Sequence, residues 1–516
     1  LLGAFIVYNI VPLKHRWKVL LAFSYLFYFI NSGRYIIFIL FGSLTIYVGG
    51  LLINKIDDGC SMARKALPKE NKKEYKALIG WQKKCVCVCV VLVNVGILVF
   101  LKYSVFLGQV FTDVLGLIHI NVENPMYQRM MPLGISFYTL SAVSYIVDVY
   151  RGKYRASDKF GKVALFLAFF PHIVEGPIAR FDLVGEQMYE GHRFSYENMT
   201  MGLQLILWGF FKKIVIADRA NMYVNQIFDN YASYTGLPVV VGMLLYTLQL
   251  YAEFSGCMDI VRGSAQMFGI GLSENFNQPF ISKTVSEFWR RWHMTLGAWF
   301  KDYVFYSVSL SKPFVKLSKK TREHMNTFFA TFVPMSIAMF IVWFGTGIWH
   351  GASWKYVMYG LYWAIMVIGL LMEPLFKKLY GKMNVDRHGK VYRLLQVVRT
   401  FIFVNVGMLM FRADDLTAFG HMFVSMFRGF TFADLTNGTL LGMKLDMADF
   451  AVLAVGALIL FLVGLCKEKG HQIRAELATK NIALRWAVYY VLLFGVIILG
   501  AYGKGYEVAG FIYAQF

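Results

Sequence analysis

"FFATFVPMSIAMFIVWFGTGIWHGASW" occupies residues 328–354, and its reading decides the fold. From Phe328 to Trp349 it carries no charged side chain. As a helix rising 1.5 Å per residue, that run covers the ~30 Å hydrocarbon core of a bilayer. A single imidazole, His350, follows it between glycines and tryptophans. From Phe328 to Leu371 the only other side chain charged near neutral pH is Lys355. The stretch therefore predicts a membrane span with a histidine at its end.

Similar apolar runs recur at Tyr35–Leu52, Cys85–Leu101, Tyr356–Met372, Phe450–Cys466 and Trp486–Leu499. The composition agrees: of 516 residues 57% are hydrophobic and 16% charged, against ~25% charged in soluble domains. Mean hydropathy is +0.51. The expected fold class is an all-α polytopic membrane protein, with length for roughly ten or more spans. The many interruptions suggest re-entrant or broken helices. The opening "LLGAFIVYNIVP" is apolar, and no small-residue cleavage site follows it, so it is expected to lie in a first span.

A net charge of +21 does not indicate nucleic acid, because the cations collect in short segments between spans. That is the positive-inside pattern. Residues 54–84 hold Lys55, Arg64, Lys65, Lys69, Lys72, Lys73, Lys76, Lys83 and Lys84, and read as cytoplasmic. Residues 111–130, with Arg129 as their only Lys or Arg, read as external. "RGKYRASDKFGK" (151–162) returns to the cytoplasm, and "KHRWK" (14–18) fits there too. The six cysteines form neither a CxxC pair nor a disulfide framework, so no metal or redox site is expected. No internal repeat or linker divides the chain, which reads as one membrane domain over 1–516.

The least apolar long segment, 273–326, contains "SEFWRRWHMTLGAWFKDYVF" (286–305). Phe288, Trp292, Leu296, Trp299 and Tyr303 recur at helical spacing, which predicts one continuous helix with an aromatic stripe. Arg290, Arg291, Lys301 and Asp302 make it too charged to span easily, so it suits an interface or a protein-lined cavity. His293 shares a side with Trp289, Gly297 and Phe300. It reads either as an incidental histidine on an interfacial anchor or as a working group.

His350 is the sharper candidate, since ionisable groups at membrane depth usually face a protein interior or a wet cavity. If the helix continues, Trp343, Gly347, His350, Gly351 and Trp354 share one side. The glycines would then let a neighbouring helix or a long substrate come close. An imidazole there can take a proton from a hydroxyl, its ordinary pKa of ~6.5 lying near working pH. The competing reading is a structural histidine bonded to a neighbouring helix. Glu253, Asp259 and Arg262, His172, Glu175 and Arg180, and Asp148 also sit in apolar surroundings. For these, buried ion pairs or helix caps are the favoured reading.

There is no GxSxG elbow, GxxxxGK[ST] loop, HExxH motif or HxxxxD spacing, which disfavours a soluble hydrolase or a nucleotide-driven pump. Several segments together instead resemble the membrane-bound O-acyltransferases, and within them the alginate O-acetylase branch. They are "MPLGISFYTLSAVSYIVDVYRGK" (131–153), "FFPHIVEGPIAR" (169–180), "LWGFFKKIVIADRA" (207–220) and "FSGCMDIVRGSAQMFGIGLSENFNQPF" (254–280). "SEFWRRWHMTLGAWFKDYVF", "GIWHGASWKYVMYGLYWA" (347–364), "VNVGMLMFRADD" (404–415) and "GYEVAGFIYAQF" (505–516) continue the series. Cys257 stands where the branch commonly has tyrosine.

The resemblance implies a ring of tilted, partly re-entrant helices around a central tunnel, with a catalytic core at about 131–415 and additional spans at about 450–500. It implies a multi-pass protein of the bacterial cell membrane that moves an acetyl group from a cytoplasmic thioester, acetyl-CoA or similar, to an extracellular or cell-wall polysaccharide. His350 would be the general base and His293 the second catalytic histidine. Trp349 and Trp354 would line the tunnel, Asn275 and Asp259 its polar wall, and Arg290 and Arg291 would lie near the donor. No bound cofactor, metal or nucleic acid is implied, and an exported or membrane-anchored SGNH-type acetyltransferase is the implied partner. D-alanyl transfer to teichoic acid is the alternative within the family. Outside it stands a transporter or non-catalytic export subunit.

Overall fold

In hydrocarbon a backbone can satisfy its own polar groups only as helix or closed barrel, and this chain uses helix. The computed structural model describes residues 1–66, 68, 70–127, 130–373, 386, 389–502 and 506. Among them the only β pairing is an isolated bridge between Phe276 and Trp292. Arg129, part of the basic segment at 376–396 and, apart from Tyr506, the C-terminal segment 505–516 lie outside the described residues. So do the side chains of Arg64, Lys65 and Lys69.

Eight described helices are long and apolar enough to cross a membrane, the last being Met447–Glu468 and Ile482–Leu499. Others are apolar but short, such as Phe160–Ala168 and Trp354–Leu370, so the length of the chain overstates the number of full crossings. The apolar runs read from sequence each fall within a helix, to within two residues at their ends. Tyr196–Asp229, Leu237–Met267 and Lys390–Arg412 escape that reading because each carries ionisable side chains. The segment 54–84 is no simple loop: the helices Ile36–Ala66 and Lys72–Leu117 run into it. Lys83 pairs there with Asp57 at 2.7 Å.

The described chain forms two compact units. In the first, residues 1–202 with 261–273, the helix Ile135–Arg151 is buried along nearly its whole length. An all-round apolar or small surface suits such a position. It starts after Gly134, whose φ of +67° and whose site 2.0 Å from the Ile173 carbonyl leave no room for a Cβ. Asp148, near its end, lies 3.6 Å from Lys153, and Lys153 lies 2.6 Å from Asp182.

In the second unit, residues 203–260 with 274 onward, the π-helical turn Phe211–Ala217 interrupts a span. Such wide turns add one residue to a helix face, and here both Lys212 and Lys213 are buried. Lys212 reaches Asp259 at 2.6 Å and Ser255 at 3.0 Å. Lys213 lies between Asp218 at 2.7 Å and Glu253 at 3.1 Å. Arg219 bonds Asp449 and the Leu499 carbonyl, tying the C-terminal spans to this core. The helix Thr327–His350 contains Pro334, which membrane helices tolerate when neighbours satisfy the freed carbonyl.

Candidate active site

The helix Thr327–His350 has 24 residues, about 36 Å at 1.5 Å per residue. It ends at His350, where Gly351 turns extended with φ −179° and ψ 166°. The helix therefore does not carry on to Trp354. That residue instead opens the helix Trp354–Leu370 and is 55% exposed. The buried His350 ring sits edge-on to aromatic faces: Trp349 at 5.0 Å, Phe411 at 5.1 Å and Tyr359 at 5.8 Å between centroids.

The glycines beside it serve helix packing. A Cβ on Gly347 would come 2.4 Å from the Tyr356 carbonyl oxygen and 2.8 Å from the Gly360 backbone. One on Gly360 would come 2.6 Å from the Trp343 carbonyl. The two helices thus cross backbone to backbone, the small-residue contact common in membranes. Gly351 is likewise covered by the Tyr356 ring, 2.2 Å from where its Cβ would stand. Space that the sequence offered equally to a substrate or a helix is taken by the protein.

His293 reaches the same region from another element. The continuous helix expected over 286–305 is broken. Val285–Arg291 ends at Trp292, and Met294–Trp299 begins after His293, whose φ is +47°. The break has a tertiary cause. Asn277 N–H donates to the Arg291 carbonyl at 2.8 Å, and Met294 N–H donates to the Asn275 carbonyl at 2.9 Å. This short antiparallel pairing pulls Trp292 and His293 out of helix. The aromatic stripe survives the break, since Phe288, Trp292, Leu296, Trp299 and Tyr303 are all buried.

His293 is 2% exposed, against Phe254 at 4.8 Å and Trp349 at 6.1 Å between ring centroids. The two histidines thus contact one indole, that of Trp349. Burial pushes the His293 imidazole down to about 3, so the ring is neutral near pH 7. Asn275 is buried beside it, its Oδ1 3.3 Å from His293 Nδ1.

The remaining candidates lie elsewhere in this unit. Asp259 is held by Lys212. Arg291 is gripped by Glu287 at 2.9 Å and, through both ends of its guanidinium, by Glu468 at 2.8 and 3.0 Å. Those carboxylates hold its pKa above the ordinary value. Arg290 is exposed. Sequence reasoning overlooked Tyr359 and Phe411 as walls of the His350 site, and Phe254 and Thr295 beside His293. The motifs containing Tyr359, Phe411 and Phe254 were visible, but only tertiary packing selects these side chains from their many aromatic neighbours.

Comparison with known proteins places the chain in a family. The sequence profile of the membrane-bound O-acyltransferase family matches residues 159–411. A probable alginate O-acetylase of Pseudomonas putida is 30% identical over 75% of this chain and 75% of its own length. The chain belongs to the membrane-bound O-acyltransferase family. A probable alginate O-acetylase of Azotobacter vinelandii is 32% identical over 65% of this chain. The aligned part spans 61% of that relative's length and 56% of its Pseudomonas aeruginosa counterpart. A teichoic acid D-alanyltransferase of Bacillus subtilis is 29% identical over 60% of this chain and 77% of its own length. As a member of this family the chain is a multi-pass membrane protein, in keeping with its eight long apolar helices.

Proposed function

We propose that this protein is an O-acetyltransferase of the bacterial cell membrane. It would take an acetyl group from a cytoplasmic thioester, acetyl-CoA or a similar donor, for esterification of an extracellular or cell-wall polysaccharide. The observation that carries this reading is the placement of two buried histidines, His293 and His350, against the same indole, that of Trp349, in a chain related to alginate O-acetylases.

In this mechanism His350 accepts the proton of the incoming hydroxyl as its oxygen attacks the thioester carbonyl carbon. The carbon–sulfur bond then breaks, and the proton passes to the departing thiolate, so the imidazole is regenerated. A positioned base of this kind contributes ~10²–10⁴-fold. His293 would orient the thioester or assist the proton transfer, and Trp349 would wall the path. An exported or membrane-anchored SGNH-type acetyltransferase would carry the group to the polymer.

D-alanyl transfer is the second reading, supported by the relative named for it. A transporter or export subunit gains little support, because the chain belongs to an acyltransferase family, although the paired Asp148, Glu253 and Asp259 would suit that reading as well. The deciding test is mass analysis of the surface polysaccharide from a strain carrying His350→Ala. Loss of acetyl ester with normal protein insertion supports the proposal, and loss of D-alanyl ester supports the second reading. Unchanged esterification would overturn both.

A further inference from the structure

We infer that Asn275 is a positioning residue: its side-chain carbonyl holds His293 in the Nδ1–H tautomer, so that the ring meets the reactants with Nε2 as a hydrogen-bond acceptor. The inference rests on the acyl-transfer reading above and narrows the two roles left open there for His293.

The argument begins with the orientation of the Asn275 amide. Its Oδ1 lies 3.0 Å from the backbone N–H of Thr295 and 2.9 Å from the Thr295 hydroxyl. A backbone N–H can only donate, so the atom facing it must be the amide oxygen. The Nδ2 end then lies 3.3 Å from the Met258 sulfur, a weak acceptor suited to an N–H donor. His293 Nδ1 faces the same Oδ1 at 3.3 Å. An oxygen already accepting from Thr295 can pair with that nitrogen only if it carries the proton. In a neutral imidazole the other nitrogen is then bare.

The backbone holds the arrangement from a second direction. Met294 N–H donates to the Asn275 main-chain carbonyl at 2.9 Å, so one residue grips the chain on the far side of His293 and the ring as well. His293 keeps a left-handed backbone, which is strained for a non-glycine residue and persists only where surroundings over-determine it. Burial keeps the ring neutral, so it offers no positive charge to the phosphates of a donor.

The consequence is chemical. A bare Nε2 accepts from O–H or N–H. It suits the acceptor hydroxyl, or an amide N–H of a pantetheine-type donor arm. It does not suit the thioester carbonyl, which is itself an acceptor, so His293 is not the group that stabilises the developing oxyanion.

The test uses the full-length protein in lipid nanodiscs, labelled with ¹⁵N-histidine, with the His293 signals assigned by their loss in His293→Gln. At neutral pH a protonated Nδ1 and a bare Nε2 are expected. A protonated Nε2 overturns the inference. This readout needs no turnover, so it stands or falls separately from acetyl transfer: a wild-type protein inactive with acetyl-CoA would defeat the proposed function alone. In turnover assays Asn275→Leu should lower kcat by about tenfold or more, the scale on which orienting partners of imidazoles act. Asn275→Asp, which keeps the acceptor, should restore most of that loss. Full activity in Asn275→Leu, or an equal loss in the two variants, would overturn the assignment.

Discussion

Two clusters of buried polar side chains lie in the same unit and are built on opposite plans. Around the π-helical turn, two lysines, Lys212 and Lys213, pair with three carboxylates, Asp218, Glu253 and Asp259, at 2.6–3.1 Å. Around Trp349, two imidazoles are packed against aromatic rings. Buried charges that are paired fix the positions of helices, and breaking such a pair is costly. A buried imidazole can be neutral, so it tolerates an apolar wall and still offers a lone pair to a hydroxyl. The contrast separates paired charges that hold the fold from neutral imidazoles suited to the chemistry proposed above, within one stretch of membrane protein.

The strongest way to break the contrast is to remove the ammonium shared by two carboxylates. Lys213→Met leaves Asp218 and Glu253 facing each other at low polarity, at a cost of ~3–5 kcal/mol. Thermal unfolding in nanodiscs should show a large drop in melting temperature. Adding Asp218→Asn and Glu253→Gln should recover much of it, because the uncompensated charges are gone. The folded fraction should keep transferring acetyl groups. A Lys213→Met protein that melts normally but transfers nothing would place this cluster in the chemistry and dissolve the distinction.

A smaller effect is expected at the helix crossing beside His350. The new methyl of Gly347→Ala would meet backbone atoms of Tyr356 and Gly360, which cannot swing aside as a side-chain end does. Overpacking of this kind costs ~1–3 kcal/mol. Unfolding free energy should fall by that amount, and transfer should fall far less than in His350→Ala. If melting is unchanged and KM for the donor rises instead, the glycine gap is substrate space.

Much of this was legible in the sequence, for physical reasons that also explain the rest. An apolar run long enough to cross a bilayer has few alternatives to helix, so Thr327–His350 and its kin could be read directly, along with the odd imidazole at one end. The spans holding Lys212, Lys213, Glu253 and Asp259 were hidden because their charges are cancelled by partners about 40 residues away. The break at His293 was hidden too. Nothing in "RRWHMTL" interrupts a helical period, and the cause is a backbone pairing to Asn275 and Asn277. The family resemblance assigned Asn275 and Asp259 alike to the polar wall, although the surroundings of Asp259 favoured an ion pair. Only geometry distinguishes an asparagine aimed at an imidazole from an aspartate held by a lysine.

Arg291 offers the finest test, because its charge is visible in sequence and its partners are not. Read from the motif, it lies near the incoming donor, but here its guanidinium spans Glu287 and Glu468. The Glu468 side chain is 37% exposed, so the pair is worth about 1 kcal/mol or less. Comparing Arg291→Gln, Glu468→Gln and the double variant separates the two roles. If the arginine only ties the Val285–Arg291 helix to the end of Met447–Glu468, Arg291→Gln and the double change should lower melting by the same small amount, and Glu468→Gln, which leaves the Glu287 pair in place, by no more, with KM for the thioester unmoved. A donor-binding arginine would instead raise KM in Arg291→Gln and in the double variant, while Glu468→Gln alone, by releasing the guanidinium, would leave KM unchanged or lower it.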